Sequence, residues 1–478
     1  MKFPLLRLGA LAVLLPLASA APSTPGLPAA LAVHPLQGAK PDPQVLAQFG
    51  LFNNPALQKF ITAKGQQMDA ISDRPGNYGF TIVDSPVINA FATPDGHVYF
   101  TRGIMAYFNN EAQFAGVLGH ELGHITARHG QKQQTRSTIA SLLLGGLSAV
   151  SRTAAALAQP LSQGVSVLFL KYSRDNENEA DGLGVKYSSK IGYDAAQMAD
   201  FFLTLQRTEQ QGGSAIPTFL STHPNSADRY QRVKGLAAQE RQALGKQVLT
   251  VNRNGYLRSI DGLPYGDDPR QGFVENSIFY HPDLKFRFPV PSGWKSHNTP
   301  EQFQMAEPNG KALLVFLGAG SGSLDEAAQA LVKQLGLGGA QSRNTSINGF
   351  PAAVVEGDQT AQDQQQQQSA PAHVRSYLIQ DGKTIYAFIG LAAAESFANY
   401  APQFNAVAQG FQRLTEVSKL NRQAERIRIK TLKTSATLGQ ALAANGVPAK
   451  RYEEVAILNG MQTTDRLPAG TLFKVVGR

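Results

Sequence analysis

The chain has 478 residues, a formal net charge of +9 and no cysteine. This length predicts two or three domains, and the lack of cysteine excludes disulfides, a lipid-anchored cysteine and a cysteine-ligated zinc site. The charge is uneven, because residues 419–478 carry eleven Lys and Arg against four Asp and Glu. A basic segment of this kind suggests either an anionic partner or a solubilising surface.

The first twenty residues have the pattern of an export signal. Lys2 and Arg7 charge the start, Leu8 to Leu17 is an apolar core, and Ala18-Ser19-Ala20 is typical of a cleavage site. The core is too short to span a bilayer, which disfavours a membrane anchor. We therefore expect a periplasmic protein, either free or peripherally associated with the membrane, with a flexible leader over residues 21–43. In that compartment the basic segment favours peptidoglycan or anionic lipid head groups as partners, and no nucleic acid.

Helix and strand patterns follow the leader. Val45 to Ile71 predicts one helix, and Phe80 to Val83 and His97 to Thr101 predict strands around the turn Pro94-Asp95-Gly96. The strand His97–Thr101 could bind an extended peptide through its edge. Alternatively, it is only part of the core sheet.

The segment His120-Glu121-Leu122-Gly123-His124 lies within a helical pattern from Glu111 to Arg128. Positions four apart share one face of a helix, so His120 and His124 can direct two imidazoles at one zinc ion. Glu121 can then reach a zinc-bound water and accept its proton. The alternative is a solvated helix face that carries two histidines by chance.

The flanks of this helix make further predictions. Asn109 or Asn110 is the expected N-cap, and Gly130 can end the helix in a left-handed conformation. Gly119 and Gly123 are poor helix formers, which suggests close approach of another backbone, such as a substrate strand. For His129, five residues beyond His124, we expect a surface position or a supporting role.

A catalytic zinc needs a third protein ligand and one open position. The acidic run after Tyr172 predicts a helix start capped by Ser173 or Asp175. Glu177 and Asp181 share one face of that helix, so Glu177 can bind the metal while Asp181 accepts the N–H of a ligating imidazole. Glu179 points nearly the opposite way. The alternative is an acidic, solvated helix start.

His223 is a fourth candidate, because it precedes Pro224 and is therefore expected in extended or turn backbone. It could contact the zinc, a developing oxyanion or the substrate, and Arg229 follows it. Either His223 or Arg229 could stabilise the oxyanion. A solvated loop histidine is the alternative.

Together, and in this order, these segments resemble the zinc metalloproteases of the HtpX and CAAX-prenyl-protease type, gluzincins with HExxH, particularly their soluble periplasmic BepA-like branch. The resemblance covers about Pro41 to Lys234 and rests on Val87–Ala92, Tyr99–Gly103, the HELGH helix, the Glu177 and Asp181 helix, and Thr222-His223-Pro224 with Arg229.

The resemblance implies one Zn²⁺ per chain, and its ligands and catalytic groups match residues of this sequence. His120, His124 and Glu177 are the implied ligands, Glu121 the general base and Asp181 a supporting residue. It further implies that His223 can cap the zinc and hold the enzyme off, with Arg229 near it. The chain departs from the family at Thr93-Pro94-Asp95-Gly96, where a Gly-Gly turn is common, and it lacks a C-terminal helical repeat, so partners are not carried over.

The remaining segments predict the domain order. A protease domain over residues 44–245 includes apolar runs at Ile139–Val150 and Val165–Leu170, which are either core helices or a hairpin over the cleft. A linker over 246–280 leads to a domain over 281–416 that resembles the α/β sandwich of PsbP and Mog1. In that domain Leu324–Leu335 predicts a helix, and Asp381-Gly382 between two alternating segments predicts a hairpin. The basic segment 420–478 resembles a LysM module in outline, with a strand at Ile427–Ile429, helices at Leu438–Ala444 and Tyr452–Leu458, and a last strand at Leu472–Val476. However, Thr434-Ser435-Ala436-Thr437 replaces the expected Gly-Asp-Thr turn.

These patterns predict an α+β multidomain protein: a mainly helical zincin-type protease domain with a small sheet, an α/β sandwich and a small LysM-like module. The expected function is a zinc-dependent endopeptidase of the bacterial cell envelope that acts on misfolded or misassembled envelope proteins. One alternative is a non-proteolytic chaperone-like or glycan-binding protein with a latent or structural zinc site. Another is a peptidoglycan hydrolase.

Overall fold

The computed structural model describes residues 40–130, 172–211, 219, 222–223, 228–359 and 372–478. The predicted export signal, most of the leader, both apolar runs before Tyr172 and the glutamine run 364–368 lie outside these residues. Within the described ranges, no helix is both long and apolar enough to cross a bilayer.

Two helices and a small sheet begin the described chain. They are α1 Pro43–Phe49, α2 Pro55–Ile71, β1 Gly79–Val83, β2 Ala90–Ala92 and β3 His97–Thr101. The single helix predicted over Val45–Ile71 is wrong, because Gly50 ends α1 and Asn54 caps α2 with Pro55 at its first position.

The sheet has the order β1-β3-β2, with β3 parallel to β1 and antiparallel to β2. The strand His97–Thr101 therefore lies at the centre and has no free edge, which corrects the prediction that it could pair with a peptide. The edge strand that packs beside the HELGH helix is β2, a three-residue strand that the sequence pattern did not reveal.

The helical part of the first domain follows. It contains α3 Arg102–Tyr107, α4 Glu111–Thr126, α5 Arg174–Lys190, α6 Ala196–Gln210 and α7 Arg229–Ala243. Asn110 caps α4 through its side chain, as predicted, and α4 is buried along almost its whole length. The left-handed residue after α4 is Arg128, with φ of 59°, rather than the predicted Gly130.

The segment predicted to be a linker is folded. It contains α8 Arg253–Ser259, β4 Pro264–Tyr265, a 3-10 turn at Pro269–Gln271 and β5 Phe273–Glu275. Tyr256 and Leu257 of α8 are buried in the core of the first domain, and β4 pairs with a strand of the C-terminal module. This segment therefore joins the domains through shared core and sheet contacts.

The second domain is built on two antiparallel sheets and starts at β5, before the predicted boundary at residue 281. Its further elements are β6 Ile278–His281, β7 Phe286–Pro289, β8 Lys295–Asn298, β9 Gln302–Ala306, β10 Ala312–Gly318, α9 Leu324–Leu335, β11 Leu337–Ile347, β12 Phe350–Gln359, β13 Ala372–Asp381, β14 Thr384–Ala393, α10 Phe397–Gln409 and β15 Gln412–Arg413. The larger sheet has the order β11-β12-β13-β14-β10-β9-β8 and the smaller one β15-β7-β6-β5. The predicted helix α9 and the hairpin around Asp381-Gly382 are confirmed.

The C-terminal module has the predicted order of strand, helix, helix and strand. Its elements are α11 Val417–Leu420, β16 Glu425–Thr431, β17 Ala436–Thr437, α12 Leu438–Ala444, a 3-10 turn at Ala449–Arg451, α13 Tyr452–Leu458, β18 Arg466–Leu467 and β19 Leu472–Gly477. Its apolar residues join those of the first domain in one continuous core. The module is therefore docked on the first domain.

One buried lysine marks this docking. The Lys474 ammonium on β19 donates to the backbone oxygens of Ala106 and Phe108 at 2.7 Å and of Leu458 at 2.9 Å. Two of these acceptors lie at the end of α3 in the first domain. Part of the basic charge of the C-terminal segment is thus used inside the fold.

Candidate metal centre

The helices α4 and α5 approach each other closely because glycines line their contact. A β-carbon at Gly119 would lie 2.9 Å from the Gly184 oxygen, and one at Gly184 would lie 3.0 Å from the His120 nitrogen. A β-carbon at Gly123 would lie 3.3 Å from the backbone of Ala180. The expectation that Gly119 and Gly123 admit another backbone is therefore met by α5, not by a substrate strand.

This contact brings donor atoms from α4, α5 and the turn at His223 to one point. The Nε2 atoms of His120 and His124 are 3.1 Å apart, and both are 3.6 Å from a carboxylate oxygen of Glu177. The Nδ1 atom of His223 lies 2.9 Å from Glu177 Oε1 and 3.2 Å from His120 Nε2. The four residues form the cluster of possible metal ligands among the described residues.

These separations suit a tetrahedral zinc ion. With zinc bonds of about 2.0–2.1 Å, neighbouring ligand atoms lie roughly 3.4 Å apart. The contacts named above run from 2.9 to 3.6 Å, and all four donor atoms lie within 4.8 Å of one another. All four residues are buried, with His120 at 0% and Glu177 at 3% exposure. Lone pairs that converge at a buried point in this way are stabilised by a cation, so the donor set fits zinc.

Glu121 lies beside this point without joining it. It is fully buried, no described residue donates a hydrogen bond to either carboxylate oxygen, and its Oε1 lies 3.7 Å from His223 Nε2. Burial raises the pKa of Glu121 above its usual value, although the charge of His223 lowers it. A buried carboxylate with this raised proton affinity is suited to accept and return a proton.

Asp181 and Arg229 support the centre from behind His120. The Asp181 carboxylate lies 3.0 Å from His120 Nδ1 and accepts hydrogen bonds from Arg229 at 2.7 and 2.9 Å and from Arg232. Burial alone would raise the pKa of Asp181, but Arg229 and His120 hold it well below its usual value. The guanidinium of Arg229 also lies 4.0 Å from the centre of the Phe202 ring. Arg229 Nη2 also lies 3.3 Å from Glu177 Oε2, so its guanidinium is held by two buried carboxylates.

Three residues near His124 also belong to the centre. The sequence patterns predicted no role there for Tyr172 or Glu179, and only a surface or supporting position for His129. The Tyr172 ring stacks on His124 with centroids 3.9 Å apart. His129 is fully buried, and its Nδ1 lies 2.9 Å from His124 Nδ1. Glu179 reaches His129 Nε2 at 3.1 Å. Helical spacing could not reveal them, because His129 follows the end of α4 and Tyr172 precedes α5.

His223 belongs to a turn that is bonded to both sides of the site. The backbone N–H of His223 donates to the backbone oxygen of Phe219 at 2.8 Å. The backbone N–H of Phe219 in turn donates to the backbone oxygen of Ile88, just before β2. Tyr172, before α5, donates to the Thr222 oxygen. The Phe219 ring stacks on His223 with centroids 4.5 Å apart. His223 is thus a buried member of the cluster, not a solvated loop residue.

Two histidines four apart on one helix, a glutamate from a second helix and an adjacent buried carboxylate define a zinc-metallopeptidase site with glutamate as third ligand. Residues 55–237 match the family model described as Peptidase family M48. The chain therefore carries a peptidase domain of this metalloprotease family, and the family predicted from the motifs is confirmed.

Two curated relatives agree with this assignment. Beta-barrel assembly-enhancing protease of Escherichia coli (strain K12) is 28% identical over 208 residues, which are 40% of this chain and 41% of the relative. Metalloprotease YcaL of the same organism is 29% identical over 180 residues, which are 37% of this chain and 67% of the relative. The chain thus spans about two fifths of the first relative's length.

Cyanobacterial PsbP from Synechocystis sp. PCC 6803 is similar to 30% of this chain and 96% of its own chain, at a TM-score of 0.24 and 12% identity. The mixed helical and sheet fold is confirmed by the elements described above. The likeness of the second domain to PsbP and Mog1, and that of the C-terminal module to LysM, stay predictions.

Proposed function

We propose that this protein is a zinc-dependent endopeptidase held in a latent form by His223. The observation that carries the proposal is the convergence of His120, His124 and Glu177 from two helices on one point, with the free carboxylate of Glu121 beside it. These three residues hold the metal, one Zn²⁺ per chain. When bound, zinc polarises the scissile carbonyl and lowers the pKa of the attacking water to about 7.

The remaining chemistry belongs to residues of this chain. Glu121 accepts the proton of the attacking water and later transfers it to the leaving amine. Asp181 holds the His120 imidazole in the tautomer that leaves Nε2 free for the metal. A substrate strand would pair with the edge of β2, which lies beside α4.

His223 supports a latent state because its Nδ1 lies 2.9 Å from Glu177 Oε1 and 3.2 Å from His120 Nε2, so it would take the fourth ligand position of a bound ion. Catalytic zinc sites keep this position open for water and substrate. Displacement of His223 opens the position, and its imidazole could then donate a hydrogen bond to the oxyanion from the edge of the site.

The test compares casein cleavage by wild type, Glu121→Gln and His223→Ala, with and without a chelator, alongside the zinc content of each protein. We expect one zinc per chain in all three, chelator-sensitive cleavage by His223→Ala, little cleavage by wild type and none by Glu121→Gln. Full activity of Glu121→Gln would remove the proposed base. Equal activity of wild type and His223→Ala would remove the proposed cap.

A second candidate function is favoured by the same four donors. Zinc sites with four protein ligands and no open position are typically structural, which suits the non-proteolytic alternative, a chaperone-like or glycan-binding protein. Its expected result is bound zinc with no cleavage in either wild type or His223→Ala, and suppression of aggregation of an unfolded protein. Digestion of cell wall without cleavage of protein would instead support a peptidoglycan hydrolase.

We further propose that the substrates are misfolded or misassembled proteins of the bacterial envelope. The support is a relative named for enhancing β-barrel assembly and an N-terminal segment with an export pattern. Anionic envelope surfaces remain the proposed partner of the basic residues in 420–478, except for buried Lys474. Cell fractionation with N-terminal sequencing tests the location: a periplasmic chain starting near Ala21 is expected, and a cytoplasmic chain starting at Met1 would contradict it.

A further inference from the structure

The two imidazoles of the proposed zinc site have different partners on the side away from the metal point. His120 Nδ1 lies 3.0 Å from the buried carboxylate of Asp181. His124 Nδ1 lies 2.9 Å from Nδ1 of a second imidazole, His129, whose Nε2 lies 3.1 Å from Glu179 Oε2. The carboxylate behind His124 therefore acts through an intervening histidine.

One assignment of protons satisfies every member of this chain of groups. His124 Nε2 faces the other ligand atoms, so it carries a lone pair and Nδ1 carries the proton. That Nδ1–H donates to His129 Nδ1, which leaves the His129 proton on Nε2. The Nε2–H then donates to the Glu179 carboxylate, which can only accept hydrogen bonds. This series of hydrogen bonds thus selects the tautomer of His124 that a metal requires.

The turn that places His129 there requires an unfavourable backbone conformation. His129 is five residues beyond His124 and would face elsewhere on a continued helix. The helix ends at Thr126, and Arg128 adopts a left-handed φ of 59°, a conformation that is unfavourable for a residue with a β-carbon. This turn directs His129 back to His124. The stacked Tyr172 ring fixes the plane of the same imidazole.

We propose that His129 and Glu179 are positioning residues that hold His124 in its metal-binding tautomer and orientation, so that they set the zinc affinity of the site. The inference rests on the proposed zinc site and adds two residues to it. Asp181 fills the equivalent role for His120 but is fully buried, whereas the Glu179 side chain is 54% exposed. The support of His124 therefore extends to the protein surface.

The test measures zinc affinity of the full chain by competition with a chromophoric chelator. We expect His129→Phe to weaken zinc binding by about 10- to 100-fold, the range found when a hydrogen-bond partner of a metal-ligating histidine is lost. His129→Gln should retain most of the affinity, because its amide can accept from His124 and donate to Glu179. Glu179→Gln should lie between them, because its neutral amide oxygen still accepts the His129 bond.

Asp175→Asn is the matched control, since it removes the same charge from an exposed residue of the same helix and should leave the affinity unchanged. The melting temperature of each metal-free protein reports on the fold. If His129→Phe fails to fold, the zinc affinity of Glu179→Gln tests the inference, because this substitution changes an exposed side chain.

Equal affinities of Glu179→Gln and Asp175→Asn would overturn the inference, as would a His129→Gln protein that binds zinc as weakly as His129→Phe. Both results leave the zinc site itself intact. A wild-type chain that binds no zinc would instead overturn the proposed function, and this inference with it.

Discussion

Replacement of Lys474 by methionine tests whether the C-terminal module is part of the peptidase core. The ammonium donates to three buried backbone oxygens, those of Ala106, Phe108 and Leu458. Methionine keeps most of the volume of the side chain but donates no hydrogen bond. All three carbonyl groups would then be buried without this donor.

The expected loss follows from these three acceptors. A buried acceptor left without its partner costs about 1–3 kcal/mol. The low end applies, because methionine also removes the cost of burying the amine, a cost seen in the pKa of Lys474, which burial lowers well below its usual value. We therefore expect a loss of about 3 kcal/mol, or roughly 6–12 °C in melting temperature for a folding unit of this size.

The assay is thermal unfolding of the full chain, with Lys433→Met as control. Lys433 is an exposed lysine of the same module, so its replacement should change the melting temperature little. Limited proteolysis should release the module from Lys474→Met at a lower temperature than from wild type. A Lys474→Met protein with the same melting temperature as the control would refute the reasoning that hydrogen bonds from this lysine hold the module on the core.

Three further predictions concern metal, packing and charge. Removal of zinc with a chelator should lower the melting temperature, because an ion at 1,000 times its dissociation constant stabilises the folded state by about 4 kcal/mol; an unchanged temperature would contradict metal binding. Gly119→Ala would place a β-carbon 2.9 Å from the Gly184 oxygen. We therefore expect the free energy of unfolding to fall by about 1–3 kcal/mol and zinc binding to weaken in a chelator titration. Wild-type values for both would contradict the close helix contact. Burial alone would lower the pKa of His373, but its hydrogen bonds to the carboxylates of Asp358 and Glu356, which accept them, raise the pKa above its usual 6.5. Its stabilisation, below about 1 kcal/mol for a partly exposed pair, is therefore present below pH 6.5 and is lost as the pH rises through the raised pKa; an NMR titration midpoint at or below 6.5 would contradict this.

Local patterns predicted several elements of the second domain and the C-terminal module closely. Leu324–Leu335, Leu438–Ala444 and Tyr452–Leu458 are helices with the predicted bounds. Their boundaries are set by residues within one turn, such as Ser323, which caps its helix together with Glu326. Such signals need no contact with distant parts of the chain, so the sequence alone carries them.

The prediction failed where distant segments decide the structure. The segment 246–280 has the Gly and Asp content of a linker, yet Tyr256 and Leu257 pack into the core and β4 pairs with Glu425 and Arg426. The edge of the first sheet depends on β2, whose three residues are too few for a periodic pattern. Neither outcome can be derived from neighbouring residues, because the stabilising contacts come from elsewhere in the fold.

The sequence by itself determined which candidate donors share a helix face, because residues four apart on a helix lie on the same side whatever the rest of the fold is. This holds for His120 with His124 and for Glu177 with Asp181. Only the tertiary structure decided that the glycine contact brings these two faces together, and that His129 returns to support His124. The physical reason is that both results depend on close packing and on a left-handed turn between segments, and neither leaves a periodic signal in the chain.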